Sequence, residues 1–133
     1  MAKFGYLYLN KGKWEGEQIV PREWFEESTR AQMSASSHIS FCDYGYQWWI
    51  YPDLGAFAAL GWSGQQIFVI PDHQLVVVLT GYNLEFVTHC VNLIRNYIIP
   101  ADNLGLIEFN RITLLVLVIP LAIIIWRRRT SKT

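Results

Sequence analysis

Five consecutive apolar residues, Leu75 to Leu79, constrain this chain more than any other feature. The run is of strand length, rich in β-branched side chains, and bounded by Pro71-Asp72-His73-Gln74 on one side and Gly81 on the other. Proline at the favoured second position of a tight turn marks the approach to it. Upstream, Tyr44 to Tyr51, Ala56 to Trp62 and Gln65 to Ile70 read as further strands, each separated from the next by a short turn. Four consecutive strands joined by short turns imply an antiparallel meander. An antiparallel strand with no polar alternation must be covered on both faces, so the expected class is α+β, an antiparallel sheet flanked by helices.

One cover is visible. Leu84 to Ile98 places Val87, Cys90, Val91, Ile94, Tyr97 and Ile98 on one helical face, with Glu85, Asn92, Arg95 and Asn96 largely opposite. The other cover is not evident. Met1 to Leu9 reads as the tail of a helix, Asn10 to Lys13 as a turn, and Lys13 to Val20 as a small hairpin about Gly16. Pro21 starts a short helix through about Thr29, with Glu23, Glu26 and Glu27 early in its turns and Trp24 and Phe25 on its buried side. Ser34 to Ser40 is a polar loop. Because the first helices are short, more chain is expected upstream, and this sequence reads as the C-terminal portion of something larger.

The chain ends on a second strong signal. Residues 112–126, Ile112 through Trp126, hold no charge and are closed by Arg127-Arg128-Arg129. As a helix they would cover about 22 Å, short of the roughly 30 Å hydrocarbon core, so length alone leaves the run ambiguous. The absence of a polar face, Trp126 at an interface-belt position and the arginines after it favour a membrane helix. Arg111 and Arg127 can snorkel to stretch the span. Pro120 would cost a soluble helix about 3 kcal/mol, yet proline is tolerated in membrane helices. The expectation is a globular part over 1–100, a linker over 101–111, a transmembrane helix over 112–126 in contact with the lipid bilayer, and a basic tail over 127–133. Arg127, Arg128, Arg129 and Lys132 outweigh Arg111, which places the C-terminus in the cytoplasm and the globular part outside. No signal-peptide pattern opens the chain at Met1, so either export takes another route or the true beginning lies upstream.

Charge excludes one partner class. Eleven basic and eleven acidic residues cancel, and no basic cluster lies outside the last few positions, so nucleic acid has no electrostatic footprint. With 52% hydrophobic and 15% aromatic residues the chain is a folding sequence. Cys42 and Cys90 fit no zinc or redox spacing; two buried thiols is the plainer reading and a bridge the other. His38, His73 and His89 lack the companions a metal site needs, and Asp43, Asp53 and Asp72 flank turns, where carboxylates cap backbone N–H groups. Trp14, Trp24, Trp48 and Trp49 read as core. No metal or cofactor is expected.

One segment carries chemistry by its order. Gly61-Trp62-Ser63-Gly64-Gln65 sits between two strand-like runs and is followed by Phe68-Val69-Ile70-Pro71-Asp72 and Leu75-Val76-Val77-Val78. Ahead of it come Met1 to Asn10, then Gly12-Lys13-Trp14, Gln18-Ile19-Val20-Pro21 and Tyr44-Gly45-Tyr46-Gln47-Trp48-Trp49. Over residues 1–99 this series resembles the C-terminal part of the serine β-lactamase, penicillin-binding protein and esterase superfamily, and so implies a partial β-lactamase or transpeptidase-like fold. The resemblance makes 61–65 the third motif, a Lys/His-Thr/Ser-Gly triplet on a strand beside the nucleophile. It implies a substrate-binding and oxyanion wall of Trp62, Ser63, Gly64 and Gln65. In it the Gln65 backbone N–H would donate to an oxyanion, a contribution of about 3 kcal/mol, and Gly64 would let substrate approach. Trp62 stands where the family has a cation, which leans toward ester, amide or peptide substrates. Read without the family, the same residues are a glycine bulge in a strand with a buried tryptophan.

The family's other elements are missing. Ser28, Ser34, Ser36, Ser37, Ser40 and Ser63 have no lysine three residues on, and Ser131 is followed at once by Lys132. Tyr8-Leu9-Asn10 has the Tyr-x-Asn spacing in the wrong place, and Tyr82-Asn83 are adjacent. The expected function is therefore a piece of a membrane-anchored hydrolase of this family, inactive alone, with an upstream catalytic half as partner and a small-molecule or peptide substrate only in the complete enzyme. Its rivals are a non-catalytic membrane-anchored binding or regulatory module, and a fragment that folds poorly by itself.

Overall fold

The computed structural model describes residues 1–34, 42–81, 86–105, 114–118 and 121–127. Helix α1 (Ala2–Leu9) leads into a two-stranded hairpin, β1 (Lys13–Trp14) and β2 (Glu17–Gln18), and then into α2 (Arg22–Ser28). Strands β3 (Met33–Ser34), β4 (Asp43–Tyr44), β5 (Trp49–Tyr51), β6 (Ala56–Leu60), β7 (Gln66–Ile70) and β8 (Leu75–Thr80) come after it. Helix α3 (Phe86–Leu93), a π-helical turn (Ile94–Ile98) and α4 (Ile99–Asn103) come next, and β9 (Leu114–Val118) and β10 (Leu121–Arg127) close the described chain. Apart from β1 and β2, the strands form one antiparallel sheet in the order β3-β4-β5-β6-β7-β8-β10-β9.

Strand β8 is the reason the sheet needs two covers. Leu75, Val76, Val77 and Leu79 are 0% exposed and Val78 1%. Alternation sends Val76 and Val78, with Ile67, Val69 and Phe57, to one face, and Leu75, Val77 and Leu79, with Phe68 and Ile70, to the other. The registers Phe57↔Val69 and Phe68↔Val77 keep each set in line across the strands.

The first face is covered by α1 and α2, the cover that the sequence does not reveal. Both helices are short, but they bury rings instead of long aliphatic stripes. Tyr8 lies 4.5 Å from Trp48 and 5.9 Å from Phe25, and Phe25 lies 6.1 Å from Phe57, ring centre to ring centre. Aromatic pairs add about 0.5–1.5 kcal/mol each beyond their area, so little helix length is needed. Trp24, expected on the buried side, is 49% exposed.

The second face is covered by α3, the π turn and α4, through Cys90, Val91, Ile94 and Ile98. Pro100 has no N–H and its ring crowds the carbonyl one turn back, and the widened π turn immediately before it accommodates that defect. The widened turn also shifts the helical phase: Tyr97, expected on the buried stripe, is 67% exposed. Leu84 and Glu85 lie outside the described residues, as do Ser36, Ser37, His38 and Ser40 of the expected loop, Tyr82-Asn83, and Ser131 and Lys132. Cys42 and Cys90 are buried free thiols.

The apolar terminus corrects the expected fold class and location. The described residues of the run 112–126 are strands and not a membrane helix: β10 pairs antiparallel with β8, Ile124 opposite Val78, and β9 pairs with β10, Val116 opposite Ile123. Among the described residues no helix is long and apolar enough to cross a membrane. The physical reason lies in the run's chemistry. It is rich in β-branched residues, at Val116, Val118, Ile123, Ile124 and Ile125, and the far edge of β8 offers it a row of unpaired backbone groups. The expected single-pass topology, with an outer globular part and a cytoplasmic C-terminus, is withdrawn with that helix. Arg111, Pro120, Arg128 and Arg129 lie outside the described residues. The class is α+β, mostly one antiparallel sheet, without a membrane-spanning helix among the described residues.

Candidate functional site

The first face is incompletely sealed, and its gap is a groove of about 570 Å³. Its floor is the inner face of the sheet at Ile67 and Ala59, with Trp48 and Tyr8 beside them. Met1, which precedes α1, and Phe4 of α1 form one wall, and Trp24 of α2 with Tyr46 and Gln47 of the β4–β5 turn forms the other. Gly61 and Gln65 of the β6–β7 turn close one end.

Local sequence builds this wall. The β4–β5 turn lies directly on the end of α2: the Tyr46 N–H donates to the Ser28 carbonyl at 3.0 Å and the Gly45 N–H to the Trp48 carbonyl at 2.8 Å. Only glycine fits at position 45, because a Cβ there would stand 2.3 Å from the Ser28 carbonyl oxygen and 2.8 Å from that of Arg30. This close approach brings Tyr46 parallel to Trp24, ring centres 5.6 Å apart and planes within 4°. Across the groove Phe4 lies parallel to Trp48 at 5.9 Å and 5°. Phe4, Trp24 and Tyr46 are each almost half exposed, at 47%, 49% and 45%. Large rings left half open to water in this way mark a binding surface more than a core.

Of the four residues singled out from sequence, Gln65 lines this groove. Trp62, Ser63 and Gly64 form a 3₁₀ turn between β6 and β7, so the segment is neither a strand nor a bulge in one. Gly64 has φ +85°, a conformation that glycine adopts without cost. Trp62 is 80% exposed, where a buried tryptophan is one expectation. The Gln65 N–H, expected to face an oxyanion, donates at 3.4 Å to the Trp62 carbonyl within the turn. The Gln65 side chain donates to the Gly81 carbonyl at 3.1 Å, tying the β6–β7 turn to the end of β8. Trp48, expected in the core, is 3% exposed but also lines the groove, and Trp49 packs edge-on to Tyr44 at 4.6 Å.

The chemistry available in the groove is that of recognition. Among the described residues lining it there is no charged side chain, histidine, cysteine or serine; its polar side-chain groups are tyrosine hydroxyls, indole N–H groups and the amides of Gln47 and Gln65. Such groups hold and orient a ligand but supply no nucleophile paired with a base.

A polar cluster sits on the other face, at the other end of the sheet. His73 Nδ1 and Asp102 Oδ2 are 2.8 Å apart, largely buried, and join the β7–β8 turn to α4. Asp53 of the β5–β6 turn pairs with Arg95 of the π turn at the surface. The sequence places Asp53 and His73 in turns but does not reveal these partners, which lie 42 and 29 residues away. Deeper in the same face, burial pushes the Cys42 thiol up from its ordinary value, partly opposed by a hydrogen bond with Tyr51. Burial likewise raises the Tyr51 hydroxyl and pushes the Cys90 thiol up to about 12. These groups are held neutral and inert. Gln66 is 0% exposed, and neither polar atom of its amide has a hydrogen-bond partner among the described residues. Among the described residues no group of three or more histidine, cysteine, aspartate or glutamate side chains could hold a metal ion.

Comparison with known proteins removes the family expectation. No family model matches this chain, so the resemblance to β-lactamase-related serine hydrolases, and the partial transpeptidase-like fold it implied, are withdrawn. The chain is similar to an uncharacterized protein of Alkalihalophilus pseudofirmus, 31% identical over 90 residues. The match takes in 59% of this chain and 27% of that protein, so the chain spans about a quarter of the relative's length.

Proposed function

We propose that this chain is a non-catalytic binding module whose aromatic groove receives an uncharged ligand through ring contacts. The observation that carries the reading is the pair of parallel ring stacks, Phe4 with Trp48 and Trp24 with Tyr46, of which Phe4, Trp24 and Tyr46 are left half open beside a groove of about 570 Å³ with no charged side chain among its described lining. The size lies in the range of ligand sites, and the lining combines a mostly apolar surface with a few polar groups, as such sites do. Closed rings lose little conformational entropy on binding, so a ligand gains contact area without ordering long side chains.

The test uses the groove's own tryptophans. An uncharged nitroaromatic alcohol is titrated into the full chain, and tryptophan emission is followed. Saturable quenching is expected, with affinity reduced about five- to tenfold in Trp24→Ala, the equivalent of about one ring contact. Linear, non-saturating quenching that is the same in both proteins would remove the reading.

A further inference from the structure

We draw no further inference here: the strongest candidate, the half-open aromatic face at Phe4, Trp24 and Tyr46, belongs to the site already described, and nothing in the structure shows what covers it.

Discussion

The two faces of the sheet are sealed by different means, and the difference locates the candidate site. On the α3–α4 face, Phe68, Ile70, Leu75, Val77 and Leu79 meet Cys90, Val91, Ile94 and Ile98, all essentially removed from water. Aliphatic side chains interdigitate to the density of a crystal and leave little room. On the α1–α2 face the cover is made of rings on two short helices. Rings are large and stiff, and they meet at preferred angles instead of filling every gap. They bury the strand beneath them at Val76 and Val78 and still leave an open channel at the margin. A surface that is half core and half exposed is therefore where a ligand can be received without disrupting the fold.

The contrast can be broken most directly at Phe68, a fully buried ring on the tightly packed face. Phe68→Ala is expected to destabilise the chain by about 3–5 kcal/mol in urea unfolding, whereas Trp24→Ala on the open face, which loses one stacked pair, should cost only about 1–1.5 kcal/mol. Equal effects at the two positions would mean that the groove wall is ordinary core.

Gly45→Ala probes how the open face is assembled. Its Cβ would meet two backbone carbonyl oxygens, which cannot move aside as a side-chain tip can. A loss of about 1–3 kcal/mol is expected, together with weaker nitroaromatic quenching because Tyr46 is displaced from Trp24. An alanine variant of parental stability and quenching would show that the turn does not set the wall.

Gln66→Leu tests the sealed face from the opposite direction. An amide wholly buried without hydrogen bonds among the described residues costs free energy, so an apolar replacement of similar size should stabilise the chain by about 1–2 kcal/mol and raise the melting temperature. A lower melting temperature would show that the amide has a partner in solution.

The smallest expected effect is on pH dependence. The Cys90 thiol, raised by burial from 9.0 to about 12, keeps its proton in the folded chain while the unfolded chain loses it near pH 9. The unfolded state then binds fewer protons, so the contribution is intact below pH 9 and declines as pH rises toward 12, by about 1 kcal/mol over the first unit above 9. A Cys90→Ala variant with the same alkaline decline as the parent would assign it elsewhere.

Much of this arrangement is legible in local pattern. The observed strands β5, β6, β7 and β8 fall inside the four segments that alternation and β-branching pick out, because such short turns leave strands few partners other than their neighbours. The groove is not legible. Trp24 and Phe25 are adjacent and equally apolar, yet one is half exposed and the other buried, since the seat of α2 on the β4–β5 turn decides which ring faces inward. For Trp62 the sequence offers a catalytic-family position or a buried ring, and its exposure comes from the 3₁₀ turn that Gly64 permits. The apolar terminus misleads because an uncharged run of that length satisfies the pattern of a membrane helix and of two paired strands equally well.

By itself the sequence determined that Leu75 to Leu79 must be covered on both sides, and where the chain turns between strands. Those properties depend on residues close together in the chain. Tertiary structure alone decided what forms the second cover, where the terminal apolar run finds its backbone partners, and which aromatic rings stay open as a groove. Each of these depends on which distant surfaces meet, and side-chain character does not encode that until the backbone has brought them together.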